Sequence, residues 1–290
     1  MQIITVINAK GGCGKSTIAM NLATGLAARG FKSLLIDMDP QAQITQWLRA
    51  GDGLSNAGTL VAAMMGEQTF AETIQPTEIE NLFFVASSDG LEELGRAITD
   101  REDYAIILST LFAQGGEDGN IPGFDFVVID SPNQISPVME NAILPADLFI
   151  VPFESAKAIR SYANFYKLLL KLRPDQGEAP RLLHVLNNVR YAALRRWMWS
   201  LMATEGLVLA KTEIRTCPWL AQVDEYGGSI FHYRPQSKGA TDMAALTQEV
   251  LETLEIVMPV TAPPPLPDVP AEAVVAAVDL DTQTTNTNTL

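Results

Sequence analysis

Residues 2–17 read QIITVINAKGGCGKST. Ile3, Ile4, Val6 and Ile7 form a β-branched run that reads as a buried strand, and Ser16 opens a helical pattern through Ile18, Leu22 and Leu26 that stops at Gly30. The segment between is a glycine-rich turn. Strand, loop and helix in that order place Gly11, Gly12, Cys13 and Gly14 where backbone amides can wrap around phosphates, with no Cβ at the glycines to obstruct the approach. The helix start behind the loop adds free N–H groups and the positive end of its dipole. Lys15 is spaced to reach the β- and γ-phosphates of a nucleotide, Ser16 to ligate Mg²⁺ through its hydroxyl, and Thr17 to add a phosphate hydrogen bond. A plain glycine turn between a strand and a helix is the alternative, and the GKST ending argues against it.

The loop departs from the standard GxxxxGK[ST] pattern in two places: Ala9 stands at the first glycine, and a second lysine, Lys10, opens the loop. It resembles the deviant Walker A motif, KGGxxGK[ST], of the ParA/MinD family of P-loop ATPases. That resemblance implies ATP and Mg²⁺ as cofactors and a nucleotide-sandwich homodimer that forms on ATP. Lys10 would cross the dimer to the phosphates of the other subunit.

Three further stretches extend the likeness. SLLID, residues 33–37, reads as a buried strand running into DMDPQAQ, so Asp37 and Asp39 leave a strand at its carboxyl end, where open α/β sheets place ligands. The resemblance implies that this segment supports Mg²⁺ and orients the attacking water, with Asp39 the residue needed for hydrolysis; a simple Asp-Pro turn is the alternative. FDFVVID, residues 124–130, is an apolar strand ending in Asp130, the Walker B pattern, in which the carboxylate holds Mg²⁺. At the far end, Asn187 and Asn188 lie at the carboxyl end of the strand pattern of residues 181–189, where the resemblance implies an asparagine contact to adenine, with Asn188 the candidate.

Other expected elements are helices at 59–65, 91–99, 104–114, 158–172, 192–203 and 241–257, and strands at 82–86, 147–153 and 207–212. Residues 115–123 read as a loop. Alternation of strands with helices predicts an α/β protein: a doubly wound, mostly parallel sheet of about seven or eight strands with helices on both faces. The ATPase domain is expected over residues 1–258. Residues 259–290, proline-rich and then polar with no lysine or arginine, read as a disordered tail.

Composition narrows the function classes. The chain has 290 residues, 47% of them hydrophobic, and a mean hydropathy of +0.11, enough for a buried core. No apolar run approaches the ~18 residues that span a bilayer, and no basic region precedes a short apolar core at the N-terminus, so a cytoplasmic protein is expected; nucleoid association and the lack of a membrane partner are what the partition-type resemblance implies. The two cysteines, Cys13 and Cys217, supply neither a disulfide framework nor the cluster ligands of the iron–sulfur reductases that share this loop type. His184 reads as a core residue.

Net charge is −14, but unevenly spread: residues 1–156 carry −13, residues 157–238 carry +7 and residues 239–290 carry −8. The basic middle is compatible with a DNA face and equally with a solvated surface. Its candidates are Arg195, Arg196, Arg215 and Lys238. Trp197 and Trp199, in the same helix as the arginine pair, read as packing residues.

Residues 212–240 resemble the family's segment that closes over the base and contributes arginines to DNA, placing Arg215 and Cys217 among the candidate base contacts. Where partition proteins carry a Pro-Arg-Asn-x-Arg run, however, this chain has Arg215-Thr216-Cys217-Pro218-Trp219. The last helix carries Asp242, Glu249, Glu252 and Glu255 on what reads as its polar face, unlike a basic membrane anchor. The resemblance therefore implies a partition-type ATPase that binds nonspecific DNA and is stimulated by a ParB-like partner. A MinD-like membrane-positioning ATPase and a ligase of the dethiobiotin synthetase type are the rival readings.

Overall fold

The apolar runs of the sequence become the central strands of one sheet whose two faces are both covered, which is why they lack a polar alternate position. The computed structural model describes residues 1–49, 58–88, 90–114, 123–174 and 181–256. Its strands are β1 (Gln2–Val6), β2 (Ser33–Asp37), β3 (Ile74–Pro76), β4 (Leu82–Val85), β5 (Phe126–Asp130), β6 (Leu148–Phe153) and β7 (Arg181–Leu186). Their order across the sheet is β3-β4-β2-β5-β1-β6-β7, and every pairing is parallel except β3 with β4. The expected doubly wound sheet is present, with seven strands.

Twelve α-helices are described: α1 (Lys15–Ala27), α2 (Gln43–Arg49), α3 (Leu60–Met64), α4 (Phe70–Thr73), α5 (Gly90–Ile98), α6 (Ile107–Gln114), α7 (Pro137–Ile143), α8 (Ala156–Leu172), α9 (Ala192–Thr204), α10 (Val223–Tyr226), α11 (Ile230–Tyr233) and α12 (Lys238–Thr253). Successive side chains of a strand serve opposite faces. Ile4, Val6, Leu35, Val128 and Ile150 thus pack with α1 and α12, whereas Ile3, Leu34, Ile36, Val127 and Ile129 pack with α3, α5 and α7. Phe149, Val151 and Phe153 extend the core toward α8 and α9. Helix α1 is buried almost throughout, and at Gly25 it approaches α12 so closely that a Cβ there would lie 2.5 Å from Thr247 Oγ1.

The sheet brings the functional chain segments to one edge. Val6 is in register with Asp130, and Asp130 with Asp37, so the loop after β1 and both carboxylates emerge together at the carboxyl ends of adjacent strands. That is the crevice where open α/β sheets bind ligands.

The structure corrects two expectations. The strand expected at 207–212 is not one: it touches β7 only through single bridges, His184 with Leu209 and Asn187 with Ile214. Between them the backbone is held by α12, whose Glu249 carboxylate accepts from the amides of Lys211 at 2.6 Å and Thr212 at 2.8 Å, while Asp242 accepts from the amide of Arg215 at 2.9 Å. Accordingly, Asp242 and Glu249 are buried and do not form the solvated face read from the sequence. The edge strand β3, too short to signal itself, was not anticipated; Pro76 closes it. Residues 259–290 and all of the loop expected at 115–123 except Gly123 lie outside the described residues.

Candidate nucleotide site

The loop after β1 is shaped by Gly14, which sits at φ 88°, a left-handed conformation that costs a side-chain-bearing residue about 1 kcal/mol or more. A second constraint acts on the same position. The side-chain amide of Asn187, just past β7, donates to the Cys13 carbonyl at 2.8 Å, and a Cβ on Gly14 would meet that amide nitrogen at 2.2 Å. Cys13 itself points inward: its thiol is fully buried against the Lys10 carbonyl at 3.2 Å, and burial pushes its pKa up. Any contact Cys13 makes with a phosphate would therefore come from its main chain. Lys15 is 5% exposed, and its ammonium donates to the Lys10 carbonyl at 3.3 Å and so lies against the loop it would help to charge. Gly11 and Gly12 are exposed at the loop tip, with Asn133 beside Gly11.

Ser16 is buried in the first turn of α1, and Thr17 is half-buried beside it. The helix is anchored one turn later by Asn21, which donates to the Thr17 carbonyl at 2.7 Å and accepts from Ser229 Oγ at 2.8 Å and the Ile230 amide at 2.9 Å.

The three aspartates play different structural parts. Asp130 is completely buried with neither carboxylate oxygen hydrogen-bonded. Burial first, then the neighbouring Asp37, raise its pKa well above the usual carboxylate range, against the pull of Lys15. An orphaned buried carboxylate facing a phosphate loop fits a hydrated divalent cation, which would restore its charge balance. Among the described residues no cluster of three or more His, Cys, Asp or Glu side chains is poised to bind metal. The donor set available to Mg²⁺ is then Ser16, Asp130 through water, and phosphate oxygens.

Asp37 is also wholly buried, but its oxygens are taken: Oδ2 accepts from the Thr45 amide at 2.9 Å and hydroxyl at 2.8 Å, and Oδ1 from the Asp39 amide at 3.2 Å. Burial outweighs these bonds and lifts its pKa to about 6. The structure thus shows Asp37 shaping the loop that carries Asp39, with both its oxygens already hydrogen-bonded. Asp39 is 7% exposed; its Oδ1 accepts from the Gln41 amide at 2.9 Å and its carbonyl from Ser87 Oγ at 2.7 Å. Together with Gln41, Glu92, Arg96 and Asn133 it lines a cleft of about 380 Å³ open to solvent.

The candidates for base and DNA contact fare unevenly. Asn188 is exposed, in a left-handed conformation at φ 54°, and its neighbour Asn187 is the one turned to the loop. The Cys217 side chain is buried in the core, where a Cβ on Gly239 would come within 3.0 Å of its sulfur, so it is not a side-chain contact to a base. Arg215 is engaged by Asp242, with Nη2 to Oδ1 at 2.7 Å. Arg195 pairs with Glu213 at 2.8 Å. Arg196 and Lys238 are exposed. Trp199 is partly buried, as expected of a packing residue, but Trp197 is 49% exposed, beside Tyr191 at 72%.

Comparison with known proteins follows the same lines. A family model described as an AAA domain matches residues 1–175, more than half of the chain. The chain belongs to that family, as a P-loop ATPase of the ParA/MinD type. This ATPase is 26% identical over 270 residues to the chromosome partitioning protein ParA of Myxococcus xanthus, covering 87% of this chain and 88% of that protein. It is 27% identical over 257 residues to the cell division protein PomZ of the same organism, covering 86% and 77%. A Cyanothece McdA variant in complex with ATP superposes with a TM-score of 0.74 at 21% identity, over 90% of this ATPase and 99% of that chain. The septum site-determining protein MinD of Pyrococcus horikoshii, complexed with Mg-ADP, gives 0.68 at 24%, over 88% and 98%. At these identities the two superpositions show the shared fold.

Proposed function

We propose that this ATPase is a partition or positioning protein of the ParA type: it dimerises on MgATP, binds DNA without sequence preference, and lets go when a ParB-like partner stimulates slow hydrolysis. Residues 1–258 form the ATPase unit and 259–290 an appended tail. The observation that carries the reading is the loop with two lysines. Lys15 is folded onto the loop as a nucleotide lysine, whereas Lys10 reaches sideways to an ion pair with Glu154, past the end of β6, and in this reading leaves that pair for another molecule's phosphates. In this reading ATP occupies the loop, Ser16 and Asp130 hold Mg²⁺, and the cation neutralises charge between the phosphates. Asp39 orients the water.

DNA would meet α9 and its surroundings, where Arg196 and Lys238 are exposed and Arg195 and Arg215 could exchange carboxylates for phosphates. Such contacts carry affinity without sequence information. No helix among the described residues is long and apolar enough to cross a membrane, and a cytoplasmic, nucleoid-bound location follows from the DNA reading.

The test runs two assays side by side with a nonhydrolysable ATP analogue: binding to unrelated DNA duplexes and to anionic vesicles, with light scattering to record mass. ATP-dependent dimers that bind every duplex equally, and whose salt slope falls by about one unit on Arg196→Ala, support the proposal. Absence of DNA binding at about 50 mM salt, where phosphate contacts are strong, refutes it, and vesicle binding would favour the MinD-like alternative.

A further inference from the structure

We infer that Glu154 is a positioning residue for Lys10: it holds the lysine's ammonium within its own subunit until a second subunit's phosphates compete for it. The inference rests on the dimer reading above and deepens it.

Three contacts define the arrangement. Glu154 follows β6, and its Oε1 forms an ion pair with Lys10 Nζ. The same oxygen accepts from Ser155 Oγ at 2.8 Å. Its other oxygen, Oε2, is buried with no hydrogen-bond partner. The pair is largely shielded from solvent, with side-chain exposures of 20% for Lys10 and 17% for Glu154. A half-compensated carboxylate in such a place depends on its cation, and removing one member of a shielded pair leaves the other charge poorly solvated. Lys10 cannot swing to another molecule without leaving Glu154 with a single hydroxyl donor. The phosphates of an incoming subunit must therefore outbid a carboxylate already in place. A nucleoside triphosphate offers more charge than a diphosphate, so the ion pair sets a threshold that favours assembly on ATP.

The variant that separates charge from shape is Glu154→Gln, which keeps a Ser155 acceptor and removes the anion. Two measurements on the full chain read the effect. Without nucleotide, acetylation of Lys10 by a small amine-reactive ester, followed by peptide mass spectrometry and normalised to exposed Lys238, should be several-fold faster in the variant. With a nonhydrolysable ATP analogue and Mg²⁺, the dimer dissociation constant should fall roughly fivefold, the size expected of a shielded ion pair that no longer has to be broken. Glu154→Asp, which restores the anion, should return both values toward the native ones. Equal acetylation rates, or a dimer no tighter in Glu154→Gln, would overturn the inference. If Lys10 is freed as expected but neither protein dimerises on ATP, the dimer reading fails and the proposed control of assembly fails with it. If the native protein dimerises and the variant does so no better, the role of Glu154 alone is wrong.

Discussion

The side-chain amide of Asn187 donates to the main-chain carbonyl of Cys13 at 2.8 Å, tying the end of β7 to the phosphate loop across 174 residues of sequence. The bond is buried, and it holds the loop where it enters α1. Because Gly14 must also leave room for that amide, the loop and the end of β7 are shaped for each other.

Removing this tie should loosen the loop without unfolding the sheet. Asn187→Ala is expected to cost about 1 kcal/mol of stability, the usual size of one buried hydrogen bond, and to weaken ATP-analogue binding several-fold. Asn188→Gly, at an exposed position whose left-handed backbone glycine also adopts, should change neither. Thermal melts and fluorescent-nucleotide titrations of both variants decide the point, and equal effects of the two would remove Asn187 from the site.

Lys15 and Asp39 should separate binding from turnover. Lys15→Ala is expected to abolish MgATP binding, since the ammonium is packed into the loop and the other loop lysine, Lys10, is turned away to Glu154. Asp39→Ala should bind nucleotide at near-native affinity and hydrolyse it at least tenfold more slowly, within the range for loss of a positioned proton acceptor. Native turnover by Asp39→Ala would exclude its role in orienting water.

Asp130 carries a burial cost that Lys15 and Ser16 offset only in part in the nucleotide-free protein. Asp130→Asn should therefore melt higher than the native protein in the absence of Mg²⁺ and nucleotide, by a few degrees for ~1 kcal/mol or more. The same variant should lose the Mg²⁺-dependent gain in nucleotide affinity. A lower melting temperature for ligand-free Asp130→Asn would show that Lys15 and Ser16 outweigh the burial cost.

His184 makes stability depend on pH in a definite direction. Burial between Phe153 and Tyr162 lowers its pKa to about 4, below the ~6.5 of an unfolded chain. Between those values the unfolded state takes up a proton that the folded state refuses, so stability contributed by the neutral ring falls as pH drops from about 6.5 toward 4. At pH 5 the loss should be about 2 kcal/mol. Comparing urea midpoints of the native protein and His184→Phe at pH 7.5 and pH 5 isolates the effect, because Asp37 and Asp130 titrate in both. A difference between the two proteins that does not change with pH would contradict the assignment.

The parts of the site that were legible in the sequence are those whose chemistry is local. Lys15 and Ser16 stand a fixed number of bonds from β1, and Asp130 is the terminal residue of an apolar run, so spacing alone places them. Asn187 and Asn188 illustrate the opposite case. Which of two adjacent asparagines turns inward depends on the backbone bend at Asn188, and that bend is set by pairing with Ile214, a contact that no local pattern announces. Asp242 and Glu249 were misread for a related reason. Their seven-residue spacing puts them on one helix face, but whether that face meets water or a length of backbone is decided by what lies across from it. Glu154 gave no signal either, being a single carboxylate after an unremarkable strand.

The clasp that Asp242 and Glu249 make on residues 211–215 has a consequence for how such a protein can diversify. Both carboxylates grip main-chain amides, which every residue except proline supplies. The side chains of Lys211 and Thr212 are consequently spared from holding the segment in place, and they can be exchanged while its path across the molecule is kept. A lineage can therefore rewrite the surface it shows along this segment and leave the nucleotide machinery of β1 and β5 untouched.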